Sequence, residues 1–185
     1  TTRRSISRLR DGQQPLSAGA GGERDNGNGS LMRILPLAFY LLDADLEERF
    51  KKTIEVSSLT HSHPRSVLGC YIFLDFAVRI IRGGELEKAY EETKEHLKSF
   101  IKEEPYSSEL KHYSRILEGN IMNLKEDEIK STGYVVHTLE ASFWVLLKTD
   151  SYRTAVLKAV NLGADTDTTA AVTGGLAGIY YGYQE

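Results

Sequence analysis

Two carboxylates lie two positions apart near the end of the chain, in the run Gly163-Ala164-Asp165-Thr166-Asp167-Thr168. This run falls between two helical segments, so its backbone can aim Asp165 and Asp167 at one point, with the Thr168 hydroxyl as a third oxygen. Oxygen ligands of this kind favour hard cations such as Mg²⁺ or Mn²⁺. Helix capping is the alternative, because Asp and Thr are preferred at helix starts and the helix dipole favours negative charge there. Capping accounts for one aspartate only, and both interpretations stay open.

A glycine-rich segment, residues 11–30, is the second candidate for chemistry. It holds six glycines, a proline and two asparagines and ends in Asp25-Asn26-Gly27-Asn28-Gly29-Ser30, directly before a helical pattern. Glycine lets backbone N–H groups approach a ligand, and a helix start favours phosphate. The segment lacks the lysine of a Walker loop and no strand precedes it, which argues against a P-loop or Rossmann site. A plain flexible connection is the alternative.

Two histidines follow a predicted helix in the run Thr60-His61-Ser62-His63. Histidine is an odd companion for an all-oxygen cation site, so a polar contact to a ligand is the more plausible role for one of them. The single cysteine, Cys70, lies in an apolar run and is expected to be a buried thiol.

The elements that must position these residues are helical, since few segments alternate with a period of two. Segment 64–81 is apolar on nearly every side, which indicates a central helix, and segment 85–103 carries a solvated Glu/Lys face. The fold class is therefore all-α. The predicted helices cover residues 1–12, 31–42, 46–59, 64–81, 85–103, 106–117, 135–147, 152–161 and 168–181.

Bulk composition excludes several classes of protein. With 185 residues, 41% of them hydrophobic and 26% charged, the chain is typical of a single globular domain. A formal net charge of -3 disfavours a nucleic-acid partner. No apolar stretch approaches the roughly 18 residues of a membrane span, and no secretory signal is visible. One cysteine without a disulfide partner fits a cytoplasmic location.

Four blocks of sequence together resemble the ADP-ribosylglycohydrolase family. They occur in the family's order and span essentially the whole chain. The blocks are Gly27 to Arg33 leading into Pro36-Leu37, Thr60-His61, Gly133 to Ala141, and Gly163 to Thr168 with Gly174, Ala177-Gly178 and Gly182. The resemblance implies a compact, multi-helix orthogonal bundle.

The resemblance also implies an activity, the hydrolysis of the bond between ADP-ribose and a protein side chain or small acceptor. The substrate is then an ADP-ribosylated protein or an ADP-ribose-containing small molecule, and the cofactors are two divalent cations, Mg²⁺ or Mn²⁺. Family ligands fall on Asp165, Asp167 and Thr168, with both aspartates catalytic, and Ala164 replaces a usual glycine. Substrate contacts fall on Asp25, Gly27, Asn28, Gly29, Ser30 and, beside the adenosine half, His61.

One departure from the family pattern matters. The Thr-Asp-Asp segment that supplies the other half of the family's metal site does not occur in these 185 residues, and the chain starts Thr1-Thr2 without methionine. We therefore expect residues 1–185 to be the carboxyl-terminal two thirds of a longer catalytic domain. Alternatively, a second polypeptide supplies the segment, or the chain is a degenerate relative of the family. A degenerate relative would be an ADP-ribose-binding module or a structural, crystallin-like protein.

Overall fold

The computed structural model describes residues 1–182, and helices account for most of them. Outside the helices, the described residues form only two isolated backbone bridges, Ala20 to His61 and Gly27 to Tyr134. The predicted all-α class is confirmed. The α-helices are α1 (Thr2–Arg10), α2 (Pro15–Ala18), α3 (Pro36–Tyr40), α4 (Leu46–Ser58), α5 (Pro64–Ile81), α6 (Leu86–Phe100), α7 (Ser114–Leu117), α8 (Val135–Leu147), α9 (Tyr152–Asn161) and α10 (Thr166–Tyr181).

The central helix is α5, with the bounds that its sequence predicts. Pro64 occupies its first turn, and the ring Nδ1 of His63 accepts a hydrogen bond from the Arg65 backbone N–H, which caps the helix start. Helices α3, α4, α6 and α8 all pack against it. Cys70, in its middle, is fully buried as expected. Within residues 1–182, none of the helices has the length and apolarity to cross a membrane.

Two predicted helices are shorter and tighter than expected. Residues 31–42 form a 3₁₀ turn, Leu31–Arg33, and then the five-residue α3. Pro36 accounts for the interruption, because proline has no N–H to donate to the carbonyl four residues before it. Residues 106–117 likewise divide into a 3₁₀ helix, Ser107–Tyr113, and α7.

Helix α10 begins at Thr166, two residues before its predicted start, and packs on α8 and α9. Its glycines allow close approach to α9 and to the residue before α3: a Cβ at Gly174 would lie 3.3 Å from Val156 Cγ2, and one at Gly175 would lie 2.6 Å from Leu35 Cδ2. The small-sided sequence therefore brings the acidic turn at the start of α10 against its neighbours.

A buried ion network holds α4, α5 and α6 together at the far end of α5. Asp75 is 1% exposed and accepts hydrogen bonds from Arg79 Nε at 2.8 Å and His96 Nδ1 at 2.9 Å, with Arg49 Nη1 3.5 Å away. Burial alone would raise the pKa of Asp75, but His96 and Arg79 outweigh it and hold the pKa below its usual value. The aspartate is therefore an ionised partner for buried Arg49.

Replacing Asp75 with Ala should lower the free energy of unfolding by about 3–5 kcal/mol, because it leaves the buried Arg49 guanidinium without its counter-charge. Urea unfolding at neutral pH measures this loss. The exposed Asp43→Ala substitution is the matched control and should change stability by about 0.5 kcal/mol or less. Equal effects of the two substitutions would contradict a structural role for the network.

Candidate active site

The glycine-rich segment is anchored to the turn after α4. The Ala20 N–H donates to the Thr60 carbonyl at 3.0 Å, and the Ser62 N–H donates to the Ala20 carbonyl at the same distance. A Cβ at Gly19 would lie only 2.2 Å from the Ser58 carbonyl oxygen, so this approach requires glycine. The segment is thus held against the Thr60-His61 turn.

A second anchor joins the end of the same segment to the residues before α8. The Asn28 N–H donates to the Gly133 carbonyl and the Val135 N–H donates to the Asn26 carbonyl, both at 3.0 Å. The Asn26 side chain also accepts a hydrogen bond from Ser66 Oγ of α5 at 2.9 Å. With backbone bonds at both ends, residues 20–28 do not behave as the plain connection that the sequence left open.

The Asn28 side chain carries this segment to the acidic turn. Its Nδ2 donates to Asp165 Oδ2 at 2.6 Å and to Thr138 Oγ1 at 2.9 Å. Asn28 and Thr138 are both buried. A single amide group therefore joins the glycine-rich segment, the start of α8 and the start of α10, which are distant in sequence.

The backbone around Asp165 is held independently. The Asp165 N–H donates to the Ser131 carbonyl at 2.8 Å, and the hydroxyls of Ser131 and Thr169 lie 2.9 Å apart. Gly163 and Ala164 both have positive φ, 80° and 55°. Ala164 thus adopts a left-handed conformation that favours glycine, at a cost of about 1 kcal/mol.

Capping does not describe Asp165. Although it occupies the N-cap position of α10, its side chain forms no cap hydrogen bond, whereas Asp45 at the same position of α4 accepts from the Glu48 N–H at 2.8 Å. Asp167 lies exposed in the first turn of α10, and Thr168 is buried with 6% exposure. Asp165 Oδ1 and Asp167 are thus open to a ligand.

His61 lies behind the glycine-rich segment. It is 2% exposed, and a Cβ at Gly29 would come within 2.7 Å of its Cε1, so Gly29 is required for this packing. Its Nδ1 lies 2.9 Å from Thr60 Oγ1, which accepts from Arg33 Nη2 at 2.7 Å. Burial, and then the charge of Arg33, lower the pKa of His61 to about 4. The imidazole is neutral at physiological pH.

The remaining predicted contacts, Asp25 and Ser30, make protein contacts in this structure. Asp25 Oδ1 accepts from Arg4 Nη2 at 2.7 Å. Ser30 is fully buried and its hydroxyl accepts from Cys70 Sγ at 3.4 Å. Their roles as substrate contacts stay predictions.

A cleft of about 410 Å³ opens where the second anchor forms. A Cβ at Gly133 would lie 3.3 Å from Asp165 Oδ2, so this cleft-lining glycine packs directly against the acidic turn. The sequence pointed to Gly27 and, through the family blocks, to Gly133 and Tyr134, but nothing in its pattern singled out Glu23 or Arg24. The lining residues are Glu23, Arg24, Asn26, Gly27, Gly133 and Tyr134.

A cluster of Glu23, His63 and Glu109 stands at the edge of this cleft, with ligand atoms within 4.8 Å of one another. The Arg65 guanidinium already neutralises the two glutamates, because it donates to Glu23 Oε1 and to Glu109 Oε2 at 2.7 Å each. His63 Nδ1 accepts the Arg65 backbone N–H, so Nε2 carries the proton and faces Glu23 Oε2 at 3.2 Å. Nε2 therefore has no lone pair for a metal, and the cluster is better explained as an ion-pair network.

Comparison with known proteins identifies the class to which this fold and site belong. The family profile described as ADP-ribosylglycohydrolase matches residues 1–185. The chain therefore belongs to the ADP-ribosylglycohydrolase family. A solved structure titled "ADP-ribosylglycohydrolase-related protein complex" has the same fold, with a TM-score of 0.77 and 26% sequence identity over 97% of this chain and 58% of that one.

Individual relatives are similar over most of the chain. The "ADP-ribosylarginine hydrolase Tri1" of Serratia proteamaculans (strain 568) is 35% identical over 85% of this chain and 39% of its own length. The dinitrogen-reductase ADP-ribosyl glycohydrolase of Rhodospirillum rubrum is 29% identical over 88% of this chain and 49% of its own length. The chain thus spans about half the length of the curated relatives it matches.

The protonation of His61 has a measurable consequence for stability. The folded protein holds its pKa near 4, below the roughly 6.5 of an exposed histidine, so the unfolded chain binds more protons between these values. Stability should be undiminished above about pH 6.5 and fall by roughly 2–3 kcal/mol as the pH drops toward 4. His61→Gln should flatten this part of the curve, measured by urea unfolding at several pH values.

His112→Gln is the control for this measurement. The His112 side chain is 31% exposed, so its removal should change the slope much less. An unchanged slope in His61→Gln would contradict a buried, neutral imidazole at position 61.

Proposed function

We propose that this protein hydrolyses the glycosidic bond that links ADP-ribose to a protein side chain or small acceptor, with divalent cations as cofactors. Two relatives are named for ADP-ribosylarginine and for ADP-ribosylated dinitrogen reductase. Their names favour an ADP-ribosylated protein, and an arginine acceptor in particular, as the substrate class.

The observation that supports this proposal best is the hydrogen bond between Asn28 Nδ2 and Asp165 Oδ2, 2.6 Å long. It joins the segment expected to contact the diphosphate to the turn expected to hold a cation. A structural relative would have no need for an acidic turn that is oriented by an amide and leaves a carboxylate oxygen free.

The donor set fits a hard cation. Asp165, Asp167 and Thr168 would hold it, and all three offer oxygen, the atom that Mg²⁺ and Mn²⁺ prefer. Asp165 is free of a capping bond and Asp167 is exposed. Bound cations would supply substrate orientation and polarisation of water at this turn.

The chain's own residues would provide binding and orientation. The backbone N–H groups of Gly27 and Gly29 are suited to a diphosphate, because these residues have no side chain in the way. The Asn28 N–H between them is already bonded to the Gly133 carbonyl. His61, neutral and buried behind Gly29, would add a fixed polar edge for the adenosine half. In the reaction, water forms a bond to the anomeric carbon as the bond to the acceptor breaks, and the acceptor leaves with a proton.

Removing the charge of either aspartate should strongly reduce turnover without unfolding the protein. Asp165→Asn and Asp167→Asn in the complete encoded protein should each lower hydrolysis of an ADP-ribosylated arginine substrate by at least about 100-fold in Mg²⁺ or Mn²⁺, because each loses a charged ligand. ADP-ribose release measures the rate. Exposed Asp127→Asn is the control and should keep full activity. Full activity in Asp165→Asn would contradict the proposal.

Calorimetry with ADP-ribose separates an enzyme from a binding module. If the proposal is correct, ADP-ribose binds, Mg²⁺ strengthens its binding, and EDTA stops turnover. Binding of ADP-ribose that is independent of Mg²⁺, without turnover of any substrate, would indicate a binding module and not a hydrolase. Absence of binding would contradict both.

A further inference from the structure

A second pocket lies on another part of the surface, between α4 and the end of α6. Its volume is about 450 Å³. Phe50, Phe100 and Tyr106 form its walls, with Phe50 stacked edge-on against Phe100 at 5.8 Å and against Tyr106 at 4.9 Å between ring centroids. All three rings are only partly buried. Because these rings keep part of their surface exposed, the pocket presents aromatic surface to a ligand.

The rim of this aromatic pocket is acidic. Glu47, Glu103 and Glu104 line it together with a single lysine, Lys102. The Lys102 ammonium donates to the Lys98 carbonyl at the end of α6. Across residues 1–182, the ion pairs include none that neutralises these three glutamates. Glu104 also accepts a hydrogen bond from Ser107 Oγ at 2.8 Å. The pocket therefore combines aromatic walls with a rim on which three carboxylates face one ammonium group.

We propose that the aromatic pocket binds a basic segment of a protein, in which an arginine or lysine is adjacent to an apolar side chain. A guanidinium or ammonium group is attracted to the face of an aromatic ring and to the carboxylates at the rim of the pocket. The apolar neighbour packs against Ile54 and Ile101, which complete the lining. An acidic or phosphorylated partner is repelled by the same rim.

The aromatic pocket is connected to the edge of the active-site cleft by one short segment. Tyr106 precedes the 3₁₀ helix Ser107–Tyr113, whose Glu109 is paired with Arg65 at 2.7 Å, and Arg65 is paired with Glu23 of the cleft. None of the residues assigned above to cation or substrate lines the pocket. Binding there is therefore measurable without reference to catalysis.

The test is titration of the complete protein with the peptide acetyl-Arg-Leu-Arg-amide, followed by calorimetry and by chemical-shift changes in ¹H–¹⁵N spectra. The peptide should bind, shift resonances of residues around Phe50 and Tyr106, and bind more weakly as salt is raised. Acetyl-Glu-Leu-Glu-amide should not bind. Equal binding of both peptides, or shifts confined to other surfaces, would overturn the proposal.

Two variants separate charge from aromatic contact. The double substitution Glu47→Gln/Glu103→Gln should weaken binding by about fivefold or more, and Tyr106→Leu, which keeps the pocket apolar, by about threefold. Glu87→Gln/Glu118→Gln makes the same charge change on exposed residues outside the pocket and should leave affinity unchanged. If both double variants weaken binding equally, the attraction is general to the surface and the proposal fails.

Discussion

The hydrogen bonds of the Asn28 amide group are the interaction on which the candidate active site depends. One nitrogen donates to Asp165 and to Thr138 and so ties three segments that are distant along the chain. A carboxylate is a strong acceptor, and a buried amide without partners is costly, so each of the three segments is stabilised by the presence of the other two. The orientation of the Asp165 carboxylate, and with it the oxygen left free for a ligand, follows from this contact.

The packing of the helices brings together the segments that the Asn28 amide joins. The buried helix α5 places its amino-terminal residues at the cleft, where Ser66 holds Asn26 and Arg65 holds Glu23, while its far end is fixed by Asp75. On the other side, the glycines of α10 let that helix approach its neighbours, so that its first turn reaches the Ser131 backbone. Rigid helices thus carry a site whose own residues lie mostly in turns and helix starts, where backbone N–H groups and side chains are free to face a ligand.

Periodicity predicted the helices well where tertiary contacts agree with local preference. Segment 64–81 is apolar on nearly every side and has a proline at its start, so its bounds were predictable. Residues 31–42, in contrast, keep a helical apolar spacing that Pro36 interrupts. The candidate active site was harder to predict from the sequence. An aspartate before a helix serves capping and cation binding equally well, and only the structure shows that Asp165 makes no cap bond. The partners of Asn28 and Glu23 depend on which segments meet in three dimensions, and no spacing along the chain encodes them.

The number of oxygen ligands in the acidic turn limits how completely residues 163–168 could coordinate a cation by themselves. Mg²⁺ demands near-octahedral coordination by oxygen, usually with several waters and one or two carboxylates. Asp165 has one oxygen engaged by Asn28, so the turn offers its other oxygen, the Asp167 carboxylate and the Thr168 hydroxyl. Water, substrate or another acidic segment must complete the shell. Under the proposed function, cation affinity and substrate affinity would be coupled, because each ligand would supply part of the other's coordination.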